Sequence, residues 1–213
     1  MSDSPRFGEN VTTVTGERPH VTEKPKPHMF GRVALLTALA LAVLLAGAAA
    51  VRTPDQTFQR LVLAPSGDTY VGKGSADQAH GADPLLRLDT APAPFVALIQ
   101  FDVPLDVGFN ATATFRIHAA SRNALGASVV TVRDDGDVES ATWQTRPRSE
   151  QVLGLLPANS TAEWVELDVS GAVAPGEHLV MALYARGPTM ATYHSREVPD
   201  LAPELVLVSR VTD

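Results

Sequence analysis

The chain has 213 residues, no cysteine and a formal net charge of −7. The absence of cysteine excludes disulfide bridges, thiolate zinc sites and a cysteine nucleophile. Residues 52–213 contain 20 Asp and Glu against 12 Lys and Arg, a balance that disfavours nucleic acid as a partner because the phosphate backbone is also negative.

The first 32 residues contain four prolines and charges of both signs without a sustained hydrophobic period. This composition predicts a disordered tail over residues 1–32. Residues 33–51 carry no charge and consist almost entirely of Val, Ala and Leu. A helix of that length is about 28 Å long, close to the roughly 30 Å hydrocarbon core of a bilayer.

We therefore expect a single transmembrane anchor at residues 33–51. Lys and Arg are more frequent just before this run than just after it, which predicts a cytoplasmic tail and an extracytoplasmic C-terminal domain. Residues 48–50, Ala-Ala-Ala, also fit the small-residue pattern of a signal cleavage site. Cleavage there would secrete the same domain.

From residue 58 the hydrophobic pattern changes to the alternation typical of strands. Phe95, Ala97, Ile99 and Phe101 share one side of an extended segment. The same alternation occurs over residues 111–117 and 164–169. Further strand candidates are residues 60–64, 85–88, 128–133, 152–155, 179–185, 191–194 and 204–209, separated by Gly, Pro, Asp and Ser.

These strands follow one another without a long amphipathic helix. The pattern predicts an all-β fold, an antiparallel jelly-roll-like β-sandwich of about ten short strands. We assign residues 52–65 to a linker and first strand, and residues 66–213 to the sandwich.

Motifs of common enzymes are missing from the sequence. No stretch has the spacing of a zinc metalloprotease, a nucleophile elbow, a P-loop or a dinucleotide-binding loop. Ser66, Asp68 and His80 can be drawn as a hydrolase triad, but a chain of this length contains such trios by chance. We therefore do not predict an enzyme. Paired carboxylates of a glycosidase depend on the fold and stay open.

Acidic residues offer two candidate calcium sites. Residues 134–137, Asp-Asp-Gly-Asp, lack the spacing of a calcium loop, so a turn with Gly136 at positive φ is the better interpretation. The second candidate is a structural calcium site formed by Asp68, Glu197 and Glu204, provided that the first and last strands pair.

Trp and Tyr are scarce, five residues in all. An exposed ring on a sandwich is the usual platform for a sugar, although each ring also suits core packing. Alternation places Trp164 on the same side as Glu166 and Asp168, which predicts partial exposure. Arginines suit carboxylated or sulfated sugars, and those at 146, 148, 186 and 196 are candidates. The predicted ligand-binding set is Trp143, Trp164, Tyr184, Tyr193, Arg146 and Arg196.

Several short segments also occur in a recognisable order. They are Asp68-Thr69-Tyr70-Val71, Leu85-Leu86-Arg87-Leu88, residues 97–104, Ala113-Thr114-Phe115-Arg116-Ile117, residues 141–147 with Thr142-Trp143 four residues before Pro147, residues 164–169, and Ser195-Arg196-Glu197 before residues 203–205. In this order they resemble DNRLRE (disaggregatase-related) domains, which are similar to family 96 carbohydrate-binding modules. The resemblance spans about residues 66–208.

The resemblance implies a jelly-roll sandwich on an extracellular or cell-surface protein, with glycan binding and a calcium site. One position departs from the pattern, since the family often has another Trp about five residues before the Thr-Trp pair. This chain has Asp137 and Val138 in that region.

We therefore expect a surface-anchored, non-catalytic module that binds a polysaccharide or cell-envelope glycan. The alternatives are a structural or adhesive surface protein that recognises no sugar, and a polysaccharide-degrading enzyme. Shielded tryptophans without a groove would favour the second hypothesis, and a cleft with convergent acid and base groups would favour the third.

Overall fold

The computed structural model describes residues 57–108, 110–133 and 136–210, which lie within one compact unit, Asp55–Asp213. These residues form eleven β-strands and three short 3-10 helices. The strands are β1 Phe58–Leu63, β2 Gly67–Gly72, β3 Leu85–Leu88, β4 Phe95–Asp102, β5 Thr112–Ala119, β6 Ala127–Val132, β7 Ser149–Leu156, β8 Glu163–Asp168, β9 His178–Ala185, β10 Ala191–His194 and β11 Glu204–Arg210. The 3-10 helices are Lys73–Ser75, Ser170–Ala172 and Pro199–Leu201.

The predicted tail and transmembrane anchor, residues 1–51, lie outside the described residues, as do Asp134 and Asp135. In the described part of the chain, no helix is long and apolar enough to cross a bilayer.

All strand pairs are antiparallel and fall into two sheets. Sheet A has the order β1-β11-β5-β10-β3, and β8 pairs with the other edge of β5. Strands β10 and β11 share one edge of β5 because the chain leaves that edge between His194 and Glu204 and then returns to it. Sheet B has the order β2-β4-β9-β6-β7. The predicted antiparallel β-sandwich is confirmed.

The main core lies between the inner faces of the two sheets. Phe101 of sheet B and Phe115 of sheet A meet at its centre, edge to face, with ring centroids 6.2 Å apart. Both rings are fully buried. Aromatic pairs favour this geometry because the positive ring edge meets the negative ring face.

Ten of the eleven strands overlap segments predicted from the sequence, and β2 is the exception. All six residues of β2 are buried, including Asp68 and Thr69. A strand buried on both sides shows no alternation of polar and apolar residues. Gly67 and Gly72 at its two ends further weaken the strand signal.

Sheet B buries its outer face as well as its inner face. Outward-facing Val, Leu and Ala side chains of β2, β4, β6 and β9 form a second apolar cluster. Residues 136–148 of the connection between β6 and β7 lie across this cluster and contribute Val138 and Ala141 to it. We call this connection the β6–β7 loop. Covering the cluster removes apolar side chains from water and stabilises the fold.

Adjacent leucines of β7 test the register. Leu156 is 1% exposed and Leu155 is 50% exposed. Leu156→Ala should lower the free energy of unfolding by about 2–5 kcal/mol because it leaves a core cavity. The matched control Leu155→Ala should change it by about 0.5 kcal/mol. Urea unfolding followed by circular dichroism measures both. Equal losses would mean that β7 is shifted by one residue.

Candidate functional site

A tight turn in the β6–β7 loop presents the Thr-Trp segment. The Thr142 N–H donates to Thr145 Oγ1 at 2.9 Å, and the Thr145 N–H donates to Thr142 Oγ1 at 3.3 Å. The two hydroxyls are 3.1 Å apart. These reciprocal bonds close a four-residue turn and place residues 143 and 146 next to each other.

The guanidinium of Arg146 lies over the indole of Trp143. Its guanidinium carbon is 3.9 Å from the ring centroid, and Nη1 donates to the Trp143 carbonyl oxygen. Trp143 is half-buried and packs against the outer cluster of sheet B. The indole therefore holds the guanidinium by a cation–π contact. Trp143 acts as a support for Arg146, and its covered face is not a bare sugar platform.

A surface depression opens beside this stacked pair. It is lined by Gln144, Arg146, Pro147, Arg148, Ser149 and Tyr184. Tyr184 comes from the outer face of β9, and its hydroxyl is 2.8 Å from Ser149 Oγ at the start of β7. The depression therefore depends on sheet B for Tyr184 and on the β6–β7 loop for both arginines. We call it the Arg146–Arg148 depression.

The lining of the Arg146–Arg148 depression carries positive charge, and the Asp77 carboxylate accepts a hydrogen bond from Gln144 Nε2 at its edge. Its six lining residues include two arginines and no carboxylate. Within the described part of the chain, neither guanidinium forms an ion pair. By contrast, Arg116 and Arg196 each bind two carboxylates. The two guanidinium groups, which have no ion-pair partner there, can bind a carboxylate or sulfate group by donating hydrogen bonds to it.

Three of the predicted ligand residues, Trp143, Arg146 and Tyr184, thus come together. Arg148 was one of the candidate arginines but not part of the predicted ligand-binding set, and Gln144 and Ser149 were not predicted. All three lie within six residues of the Thr-Trp pair, and this closeness in sequence could have identified them.

Trp164 lies on the opposite sheet. It is half-buried on the outer face of sheet A, as alternation predicted. The Arg116 guanidinium carbon is 4.8 Å from its ring centroid, and that guanidinium also binds Glu166 and Glu204, each at 2.6 Å. A ligand in the Arg146–Arg148 depression does not reach Trp164, because the sandwich separates the two faces.

Tyr193 and Arg196 make contacts within the domain that stabilise its fold. Tyr193 is fully buried in the main core, and its hydroxyl accepts a hydrogen bond from Asn123 Nδ2 at 3.1 Å. The expectation of a surface ring is therefore wrong at Tyr193, since its strand turns this side chain toward the other sheet. Arg196 donates to the Ser66 carbonyl oxygen at 2.6 Å and forms ion pairs with Glu139 and Glu197.

The proposed calcium ligands do not fit a metal site. The first and last strands do pair, β1 with β11, but Glu204 points away from Asp68 and binds Arg116 on the outer face of sheet A. Arg196 is the cation beside Asp68 and Glu197. Across residues 57–108, 110–133 and 136–210, no three histidine or carboxylate side chains are grouped closely enough to hold a metal ion.

Ser66, Asp68 and His80 do not form a triad. His80 Nε2 is instead 3.4 Å from Ser75 Oγ, and its Nδ1 is 3.3 Å from Asp83 Oδ2. Both distances exceed the roughly 2.6–3.2 Å of a nucleophile paired with its base. We interpret these contacts as packing of the loop that follows β2.

Asp68 is a buried carboxyl with only part of its hydrogen-bonding capacity used. It is 1% exposed, and Oδ2 accepts a hydrogen bond from the Arg196 backbone N–H at 2.8 Å. Oδ1 is buried and has no hydrogen-bond partner among the described residues. Burial raises the pKa of Asp68 to about 6, against the opposing influence of Arg196. Ionisation of this group in the folded protein is therefore costly.

The raised pKa predicts a specific pH dependence of stability. The raised pKa makes a contribution to the free energy of unfolding that is fully present below the unfolded pKa of 3.8, where Asp68 is protonated. This contribution is lost as the pH rises through the folded pKa of about 6. The loss amounts to about 3 kcal/mol. Asp68→Asn removes this titration and keeps a carbonyl oxygen for the Arg196 N–H. The free energy of unfolding of the variant, relative to that of wild type, should therefore be higher at pH 7 than at pH 4.

Urea unfolding at the two pH values measures the gain. Asp106→Asn, at an exposed aspartate, is the matched control and should leave the pH profile unchanged. A wild-type-like profile for Asp68→Asn would contradict the burial argument.

The chain is similar to a protein family and, at low identity, to solved structures. The model of carbohydrate-binding module family 96 matches residues 59–209. No curated protein sequence matches the chain. One similar solved structure is the enzymatically active domain of bacteriophage CBA120 tailspike protein 4, at 10% identity and a TM-score of 0.25. That match covers 74% of this chain and 20% of the tailspike chain, so this chain spans about a fifth of its length.

The family match covers more than half of the chain and includes the Thr-Trp turn, β2 and the residue 195–197 segment. It confirms the resemblance drawn from the order of the sequence motifs. The chain belongs to carbohydrate-binding module family 96.

Proposed function

We propose that this domain binds a polysaccharide without transforming it, and that the Arg146–Arg148 depression is the binding site. One observation carries the proposal: two arginines without ion-pair partners in the described structure converge beside a tryptophan and a tyrosine on the surface of a carbohydrate-binding module. Polysaccharide sites combine a few such polar groups with aromatic surface.

The charge of the depression favours an anionic polysaccharide. A uronic acid carboxylate or a sulfate ester accepts two parallel hydrogen bonds from a guanidinium, and this geometry is specific as well as strong. Arg146 is held in place by Trp143, so less side-chain entropy is lost when it binds a ligand. Arg148 is exposed and free to adjust to the position of the second charged group.

The lining of the depression supports binding over catalysis. Its six residues include neither a carboxylate nor an imidazole, which are the usual acid and base groups of polysaccharide hydrolysis. The Tyr184 hydroxyl is engaged by Ser149.

The uncharged run at residues 33–51 supports display of the domain outside the cell. Membrane anchoring, or secretion after cleavage, would present the depression to extracellular polysaccharide. Cell fractionation combined with protease protection of intact cells tests this part of the proposal.

Arg148→Gln should weaken binding of an anionic polysaccharide by about tenfold or more. A hydrogen bond to a charged group contributes about 1.5–3 kcal/mol, and 1.4 kcal/mol corresponds to a factor of ten. Affinity electrophoresis through gels containing polygalacturonate, dextran sulfate or neutral dextran measures the effect. Arg122→Gln, at an exposed arginine between β5 and β6, is the matched control and should bind as wild type. Equal retardation of both variants would refute the assigned site.

The two tryptophans should differ in the same assay. Trp143→Ala removes the support of Arg146 and should weaken binding, whereas Trp164→Ala changes the opposite sheet and should leave the affinity unchanged. If none of the three polysaccharides retards the wild-type protein, a structural or adhesive role is favoured. Release of unsaturated uronates from polygalacturonate would instead establish a lyase.

A further inference from the structure

A second set of chemically active side chains lies on the outer face of sheet A, away from the Arg146–Arg148 depression. Strand register aligns four residues in one row across the sheet. His118 is directly opposite Trp164. The pairing of Tyr193 with Ala119 places His194 opposite His118 on the other side, and Leu85 follows His194. Two histidines are therefore neighbours on adjacent strands, β5 and β10.

The two imidazoles approach each other closely. Their ring centroids are 5.2 Å apart, with an angle of 44° between the planes. Nδ1 of each ring is buried, and neither atom has a hydrogen-bond partner among the described residues. A buried ring nitrogen without a partner costs free energy whichever tautomer is present. Each of these neighbouring imidazoles therefore has a ring nitrogen that is open to a further partner.

We propose that His118 and His194 together bind a divalent transition-metal cation, each through one ring nitrogen. Two imidazoles bonded through nitrogen to one tetrahedral ion, at about 2.0–2.1 Å each, have ring centres about 5 Å apart. The observed separation matches this requirement. Imidazole nitrogen suits zinc, copper and nickel, whereas calcium prefers oxygen ligands. Water completes the coordination shell, since the protein supplies two ligands.

The surrounding charges are compatible with a bound cation. Arg116 lies in the row on one side, where Glu166 and Glu204 both bind it, and Arg87 lies opposite Thr192 in the row on the other side. These two arginines and two carboxylates balance each other in charge.

A cation at this site would link two adjacent strands of sheet A. Strand β10 pairs with β5 through one register pair, Tyr193 with Ala119, and the Thr192 carbonyl oxygen accepts a hydrogen bond from the Ala120 N–H at 2.8 Å. A metal bonded to one histidine from each strand would hold β10 in place. Metal binding to the folded form should therefore raise the thermal unfolding temperature.

Tryptophan fluorescence tests the site locally, because the chain has two tryptophans and they lie on opposite faces of the sandwich. Trp164 contacts His118, with ring centroids 5.4 Å apart. In the full chain carrying Trp143→Phe, copper(II) should quench the remaining Trp164 in a saturable way. In the chain carrying Trp164→Phe, the same copper concentration should leave Trp143 fluorescence nearly unchanged. Diamagnetic zinc should compete with copper and restore the Trp164 signal.

His118→Gln and His194→Gln, each in the Trp143→Phe chain, remove one ligand. Copper affinity should fall by at least the roughly 10- to 100-fold that loss of an outer-shell partner costs. His178→Gln, at an exposed histidine paired with Asp102, is the matched control and should retain the quenching. Circular dichroism verifies that each variant folds. Equal quenching of the two tryptophans, or quenching that survives both histidine variants, would overturn the site and indicate adventitious copper only.

Discussion

Sheet B is buried on both faces, and the arrangement of the domain follows from this burial. Its inner face packs against sheet A, and its outer face is also apolar and would be unstable in water. The β6–β7 loop covers that outer face with Val138 and Ala141 and packs Trp143 against it. The same loop then presents Arg146 and Arg148 at the surface. The loop that covers the outer apolar cluster therefore also forms the candidate binding site. Because this loop packs against the sheet, the site is firmly supported although it lies on a loop.

The arginines of the domain divide into two groups by their surroundings. Arg116 and Arg196 are each bound by two carboxylates and serve to join strands or loops. Arg146 and Arg148 lie together at a depression that contains no carboxylate. Only a guanidinium whose charge is not already neutralised gains much from an external anion, because an existing ion pair must first be broken. This difference separates structural arginines from candidate ligand-binding arginines of the same residue type.

The two sheets offer different chemistry on their outer surfaces. Sheet B presents the Arg146–Arg148 depression, which suits a negatively charged polymer. Sheet A presents a row of rings in which Trp164, His118 and His194 are tilted or edge-on to one another. Tilted rings do not form a flat platform for a sugar, but two facing imidazoles suit a transition-metal ion. The sandwich keeps these two sites independent, so each can be changed without direct contact with the other.

Amino-acid patterns were enough to predict the all-β sandwich, the positions of ten strands, the positive φ of Gly136, which is 124°, and the family. Alternation, turn residues and motif order are local properties, and they are readable without the fold. Which aromatic rings reach the surface could not be predicted in this way, because it depends on the packing of the two sheets. Tyr184 and Tyr193 both occur in strands, yet one lines the depression and the other is buried in the core. The tertiary structure also separated Asp68 from Glu204, because the direction of a side chain depends on which sheet its strand joins and on what packs against each face.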